Sequence, residues 1–150
     1  MPKALSVDDI AMSALLRAAR WAYADAVRKA VVAAGFEDMP RAGAYAIGAI
    51  STGAAMADII RGLGVTKQAA GQLIDTLVLR GYVERREDKD DRRKLTLALT
   101  TTGVEAAAII RKAANAVDAK LKKRAGEKAI AEARKVLFHL IAIANEGQKP

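Results

Sequence analysis

The chain has 150 residues, 52% of them hydrophobic and only 4% aromatic, and 25 Lys and Arg stand against 17 Asp and Glu for a net charge of +8. That length suits one domain with a real core, the alanine-rich and aromatic-poor make-up favours helices, and the positive balance favours an anionic partner. With no cysteine and one histidine, His139, the sequence excludes disulfides, thiolate metal sites and thiol redox sensing, so neither a metal nor a cofactor is expected.

The opening MPKALSVDDIAMS lacks the charged, apolar and small-residue succession of a secretion signal. No apolar run approaches the ~20 residues that span a bilayer. The expectation is a cytoplasmic protein with no membrane partner.

Ile10, Ala14, Leu15, Ala19, Ala22, Ala26, Val27, Ala30 and Val31 recur at helical spacing, which predicts one long helix over 8–34 with Ser6 or Asp8 as its cap. Gly35 and Pro40 stop it. Two short helices follow, Ala42 to Ile50 and Ala54 to Leu63, joined by a turn at Ser51, Thr52 and Gly53. After Gly64, Thr66 is placed to cap a third helix reaching Arg80, with Ala70, Leu73, Ile74 and Leu77 as its inner stripe.

Beyond Gly81 the period changes to two. Leu95, Leu97 and Leu99 alternate with Lys94, Thr96 and Ala98, and Tyr82 to Arg86 is the expected antiparallel partner. Glu87 to Arg93, EDKDDRR, forms a charged tip between them. Helices over 102–124 and 127–146 close the chain, the first opened by a capping box of Thr102 and Glu105, the two separated by Gly126. The fold class is mainly α with a small β-hairpin: one domain over 1–150, in which helices 8–34 and 102–146 flank a core of 41–100.

Short helix, tight turn, helix, then strand, loop and strand is the order of a winged helix-turn-helix. With the leucines inward, a step of about 100° per residue puts Gln68, Gly71, Gln72, Asp75 and Leu79 outward, with Thr66, Lys67 and Thr76 at the start and flank. Glutamine amides match adenine edges, and Thr and Lys reach phosphates or bases. Asp75 and Leu79 suit a DNA face poorly, which concentrates the expected contact in the first half of the helix. At the tip, Arg92, Arg93 and Lys94 stand among carboxylates. The near balance of charge implies that some acids pin the loop and orient an arginine toward a narrow minor groove.

The stretch from Gly64 to Gly103 resembles the multiple-antibiotic-resistance regulator (MarR) family. The resemblance lies in Gly64, Val65 and Thr66; in Gly81, Tyr82, Val83 and Arg85; in Asp91 and Arg93; and in Leu99, Thr100 and Gly103, taken in that order. It implies that Arg93 enters the minor groove with Asp91 supporting the wing loop, and that Thr66, Lys67, Gln68, Gln72 and Thr76 meet the major groove and phosphates. It also implies an obligate homodimer built from the terminal helices, a palindromic double-stranded DNA operator, and repression relieved by a small aromatic or anionic effector. The chain departs from the family pattern at Thr52, Gly53, Ala54 and Ala55, where a hydroxyl-capped polar start is usual.

For the effector, Trp21 and Tyr45 are the candidate ring contacts and Arg17 or Arg20 the counter-ion, although core packing for the rings and solvated charge for the arginines is the plainer account. His139 reads as structural or exposed. The stretch 111–135, with nine basic and three acidic residues, reads as a solvated helix surface rather than a second DNA face. No catalytic constellation is present, so an enzyme is not expected. A winged helix that docks onto protein, or an architectural binder without sequence choice, are the rival readings.

Overall fold

Helix α2, Gly43–Ser51, is apolar on every side and so belongs inside, and the computed structural model of the chain is built around it. Ala46, Ile47 and Ile50 are buried, and Ile59, Ile74, Leu77, Tyr82, Val83 and Ala106 close over them from the neighbouring elements. Each large aliphatic so removed from water contributes about 1.5–3 kcal/mol before the entropy of ordering it. The structure describes residues 6–147; residues 1–5, which begin the segment read above for a secretion signal, and 148–150 lie outside the described residues.

The remaining elements follow in chain order. A single 3-10 turn, Val7–Asp9, is capped by Ser6, whose own amide donates to Asp9 Oδ2 at 3.0 Å. Ile10 is extended, so the first long helix, α1, runs only over Met12–Ala33. The expected single helix from residue 8 is thereby corrected: the Ser6 cap serves the short turn, which absorbs the acidic residues that the apolar period had swept into α1. Gly35 at φ +89° then reverses the chain.

Helix α3, Met56–Leu63, ends at Gly64 (φ +65°), and helix α4, Lys67–Leu79, follows after only Val65 and Thr66. Strands β1, Val83–Glu87, and β2, Leu95–Leu99, pair antiparallel with Val83 opposite Leu99 and Glu87 opposite Leu95. Helix α5 covers Thr101–Ala125 and helix α6 Glu127–Glu146.

The start of α5 is fixed by Thr100, not by the expected box at Thr102. Thr100 Oγ1 accepts from Gly103 N at 3.0 Å and donates to Gly81 O at 2.5 Å, while its own amide donates to Tyr82 O at 3.1 Å. A Cβ on Gly103 would run into the Tyr82 carbonyl, so α5 lies against the backbone at the root of the hairpin.

The chain divides within α5 into two compact units, one through Ala114 and one from Asn115 onward. In the second, the end of α5 and α6 meet at Gly126, and Lys122 pairs with Glu127 across the turn. No residue described there is buried; Val136, Phe138, Ile141 and Ile143 are more than half exposed. Among the described residues no helix is long and apolar enough to cross a membrane.

Tyr82 is 2% exposed, packs edge-on against Phe36 at 5.8 Å between ring centroids, and donates its hydroxyl to Asp38 Oδ1 at 2.5 Å. Burial, then the hydrogen bond to the Asp38 carboxylate, push its pKa up from 10.0 to about 12. The folded chain therefore resists ionising this phenol; the contribution is complete below pH 10, the ordinary phenol value, and is lost as pH rises through about 12. In an alkaline titration followed by phenolate absorbance, a step about two units late should be present, and Tyr82→Phe should abolish it. A late step that survives Tyr82→Phe, or no late step in the parent, would contradict the buried hydrogen bond.

Candidate nucleic-acid interface

Helix α4 is positioned from within. Ala70, Ile74 and Leu77 are fully buried and Leu73 half-buried, which leaves Thr66, Lys67, Gln68 and Gln72 exposed and Thr76 half-buried on the flank. Thr66 Oγ1 accepts from Ala69 N at 3.1 Å, so this residue caps the helix and presents the remainder of its hydroxyl to solvent. Thr76 donates its hydroxyl proton to Gln72 O at 2.9 Å and keeps only acceptor lone pairs for an outside donor. Gly71 has open space where a Cβ would stand, so the surface between the two glutamines is bare backbone.

Asp75 and Leu79, the two residues that suit a DNA face poorly, lie in the second half of the exposed face. Asp75 receives Arg85 Nη2 at 2.5 Å, a solvent-exposed bridge from α4 to β1. Leu79 is 87% exposed.

The loop between the strands is braced by its own carboxylates. Asp88 Oδ1 accepts from Asp90 N at 2.8 Å and Asp91 N at 3.1 Å, Asp91 Oδ1 accepts from Arg93 N at 3.0 Å, and Asp88 N and Lys94 N close the turn onto Lys94 O and Asp91 O. Asp91 carries one of these bonds, whereas Asp88 carries two and was not singled out by sequence; the D-x-D spacing of a side chain that accepts from amides two and three residues on was the available signal. Those backbone donors hold the Asp88 carboxyl below its ordinary value. The side chains of Arg92, Arg93 and Lys94 are exposed and form no ion pair among the described residues. Arg86, by contrast, is occupied by Glu84.

At the start of α3, where the sequence departs from the usual pattern, Ala55 offers no side-chain cap, and Asp58 Oδ2 reaches back to Ala55 N at 3.0 Å. A carboxylate therefore stands where a phosphate would otherwise meet the helix N-terminus.

A separate cavity of about 270 Å³ lies among α1, the loop after it, α2, α3 and Ile110 of α5. Arg20, Arg28 and Arg41 and the rings of Tyr23 and Tyr45 line it over an apolar floor, and no Asp or Glu does. Of the four candidates for this role, Arg20 and Tyr45 lie in the lining. Arg17 and Trp21 do not: Arg17 is one turn too early on α1, and Trp21 stands about 100° round from Arg20 and is 63% exposed. Arg28 was passed over, although its spacing of eight from Arg20 puts both on one helix face with Ala24 between them.

A MarR family model matches residues 37–94, which run from the loop after α1 to the end of the wing tip. Over that segment the winged-helix core is similar to the MarR family. Over the longer chain the likeness is one of fold. MarR from E. coli in its reduced form superposes with a TM-score of 0.66 at 19% identity, covering 87% of this chain and 96% of that one. The S. aureus MepR–DNA complex gives 0.67 at 16%, covering 89% and 96%. Tm0710, a transcriptional regulator from Thermotoga maritima, gives 0.54 at 20%, covering 90% and 94%. No curated protein sequence matches the chain. In this core the paired signatures around Gly81 and Thr100 are two sides of one contact, although Leu99, Thr100 and Gly103 lie beyond the matched segment.

The bracing of the wing yields a test. Asp88→Ala should raise amide exchange at Asp90 and Asp91 by about ten-fold while leaving the melting temperature in place, since both bonds lie within the loop itself. Because the Asp88 pKa is lowered, the same ordering should persist at neutral pH and be lost only as pH falls below about 4. Unchanged exchange in the variant would contradict the bracing role.

Proposed function

We propose that this protein is a homodimeric, sequence-specific double-stranded DNA-binding transcription regulator of the cytoplasm, acting as a repressor that a small aromatic or anionic effector releases. The observation that carries the reading is the pairing of two surfaces on one rigid core: a polar half-face of α4 with its leucines buried, and a wing tip whose backbone is braced while its cations are free. A side chain aimed before binding loses less entropy on contact.

In this account Thr66, Lys67, Gln68, Gln72 and Thr76 meet the major groove and its phosphates, and Arg93, held by Asp91, enters the minor groove with Arg92 and Lys94 beside it. The solved MepR–DNA complex, which shares the fold, supports the direction of the inference. A single reader offers few base contacts, so two copies on half-sites about 34–36 Å apart are needed for selectivity, hence a palindromic operator. The exposed apolar side chains of α6 supply surface for a second copy to bury. The cavity supports the effector: three guanidinium groups with no acid among its lining suit a carboxylate, and two tyrosines suit a ring.

Titration of a palindromic site recovered from genomic fragments should give log affinity falling linearly with log salt, with a slope of roughly −0.9 per phosphate neutralised. Arg93→Ala should weaken binding roughly ten-fold, about 1.4 kcal/mol, and benzoate should weaken it in the parent protein. Equal affinity for random duplexes would instead indicate an architectural binder. No binding at low salt would indicate a winged helix that docks on protein.

A further inference from the structure

We propose that Asp38 is a positioning residue through which the cavity controls the end of the recognition helix and the root of the wing. The loop 36–42 has two faces. Met39, Pro40, Arg41 and Ala42 form part of the cavity wall. The residue just before them, Asp38, grips the reader twice: its carbonyl accepts from Arg80 Nη1, and its carboxylate accepts from the Tyr82 hydroxyl at 2.5 Å.

Arg80 is the C-cap of α4 and Tyr82 immediately precedes β1, so both bonds fall on the hinge between the two DNA-facing elements. Three backbone bonds also close there, Arg80 N to Thr76 O, Gly81 N to Val78 O and Tyr82 N to Leu77 O.

The opposite side of the loop is tied to α1, where Arg28 Nη1 donates to Met39 O at 3.0 Å. Arg28 is itself a cavity residue. A carboxylate entering the cavity offers this guanidinium an ion pair with two acceptor oxygens, a stronger partner than one neutral carbonyl. Occupancy therefore draws Arg28 from Met39, and the neighbouring Asp38 loses the support that sets its hold on Arg80 and Tyr82. The chain of contacts is short: Arg28, Met39, Asp38, then the hinge.

This rests on the reading of the cavity as an effector site, but the mechanical link can be tested without effector or DNA. Hydrogen exchange at the amides of Arg80, Gly81 and Tyr82 reads the hinge in the full chain. Arg28→Ala, which removes the tie to Met39, should speed that exchange by about five-fold, the low end of ordinary coupling between sites. In an Arg80→Ala, Tyr82→Phe background, which removes both donors to Asp38 and keeps the ring against Phe36, the same Arg28→Ala change should add less than two-fold, and likewise in Arg80→Met, Tyr82→Phe, a second background should the first lose stability.

A merely structural role for these groups would give independent effects that multiply. Multiplying effects, or no response of the hinge amides to Arg28→Ala, would overturn the proposal. Repeating the cycle with DNA affinity as readout separates the two readings. Hinge coupling without DNA binding would sink the proposed function and leave the link standing; DNA binding with independent effects would do the reverse.

Discussion

The wing and the recognition helix depend on one close crossing of backbone, where α5 begins against the turn between α4 and β1. Gly103 has no Cβ because the Tyr82 carbonyl occupies that space, and Thr100 stitches the crossing with its amide and its hydroxyl. Gly81, at φ +78°, turns the chain there at little cost. From this point Val83 and Tyr82 enter the core, β1 leaves with Arg85 aimed at Asp75, and the tip is delivered to one side of α4. Were the crossing wider, the same helix and hairpin could form but their angle would be unset, and the proposed contact with both grooves requires that angle.

Much of this was legible in the sequence because the responsible forces are local. The bounds of α4 follow from a Thr cap before and a positive-φ glycine after, and its inner stripe from helical spacing. The switch from a period near four to a period of two marked the hairpin, and Leu97 and Leu99 are indeed packed against the core. Helix α6 has the expected bounds, since Gly126 separates it from its predecessor and no tertiary contact was needed to predict it.

What sequence left hidden is set by partners far along the chain. Thr100 and Thr102 are equally good caps by local rules, and Thr100 wins because its hydroxyl also reaches Gly81, nineteen residues away. Asp38 looks like an unremarkable loop acid until the fold brings Tyr82 and Arg80 to it across more than forty residues. Trp21 looked like a pocket ring because large aromatics usually are buried, but α1 turns Tyr23 and Arg28 inward instead. The carboxylates of the tip were read as a brace in kind, yet which of them carries most of the bonds required the turn itself.

The Gly103→Ala melting temperature tests the crossing most directly, because two effects of opposite sign compete at this residue. Alanine is favoured over glycine inside a helix by about 1 kcal/mol, so a helix free of close neighbours would be stabilised. Overpacking against a backbone carbonyl costs about 1–3 kcal/mol or more, since the carbonyl cannot swing aside as a flexible side chain would. The account predicts a clear fall in melting temperature; an unchanged or raised value would contradict it.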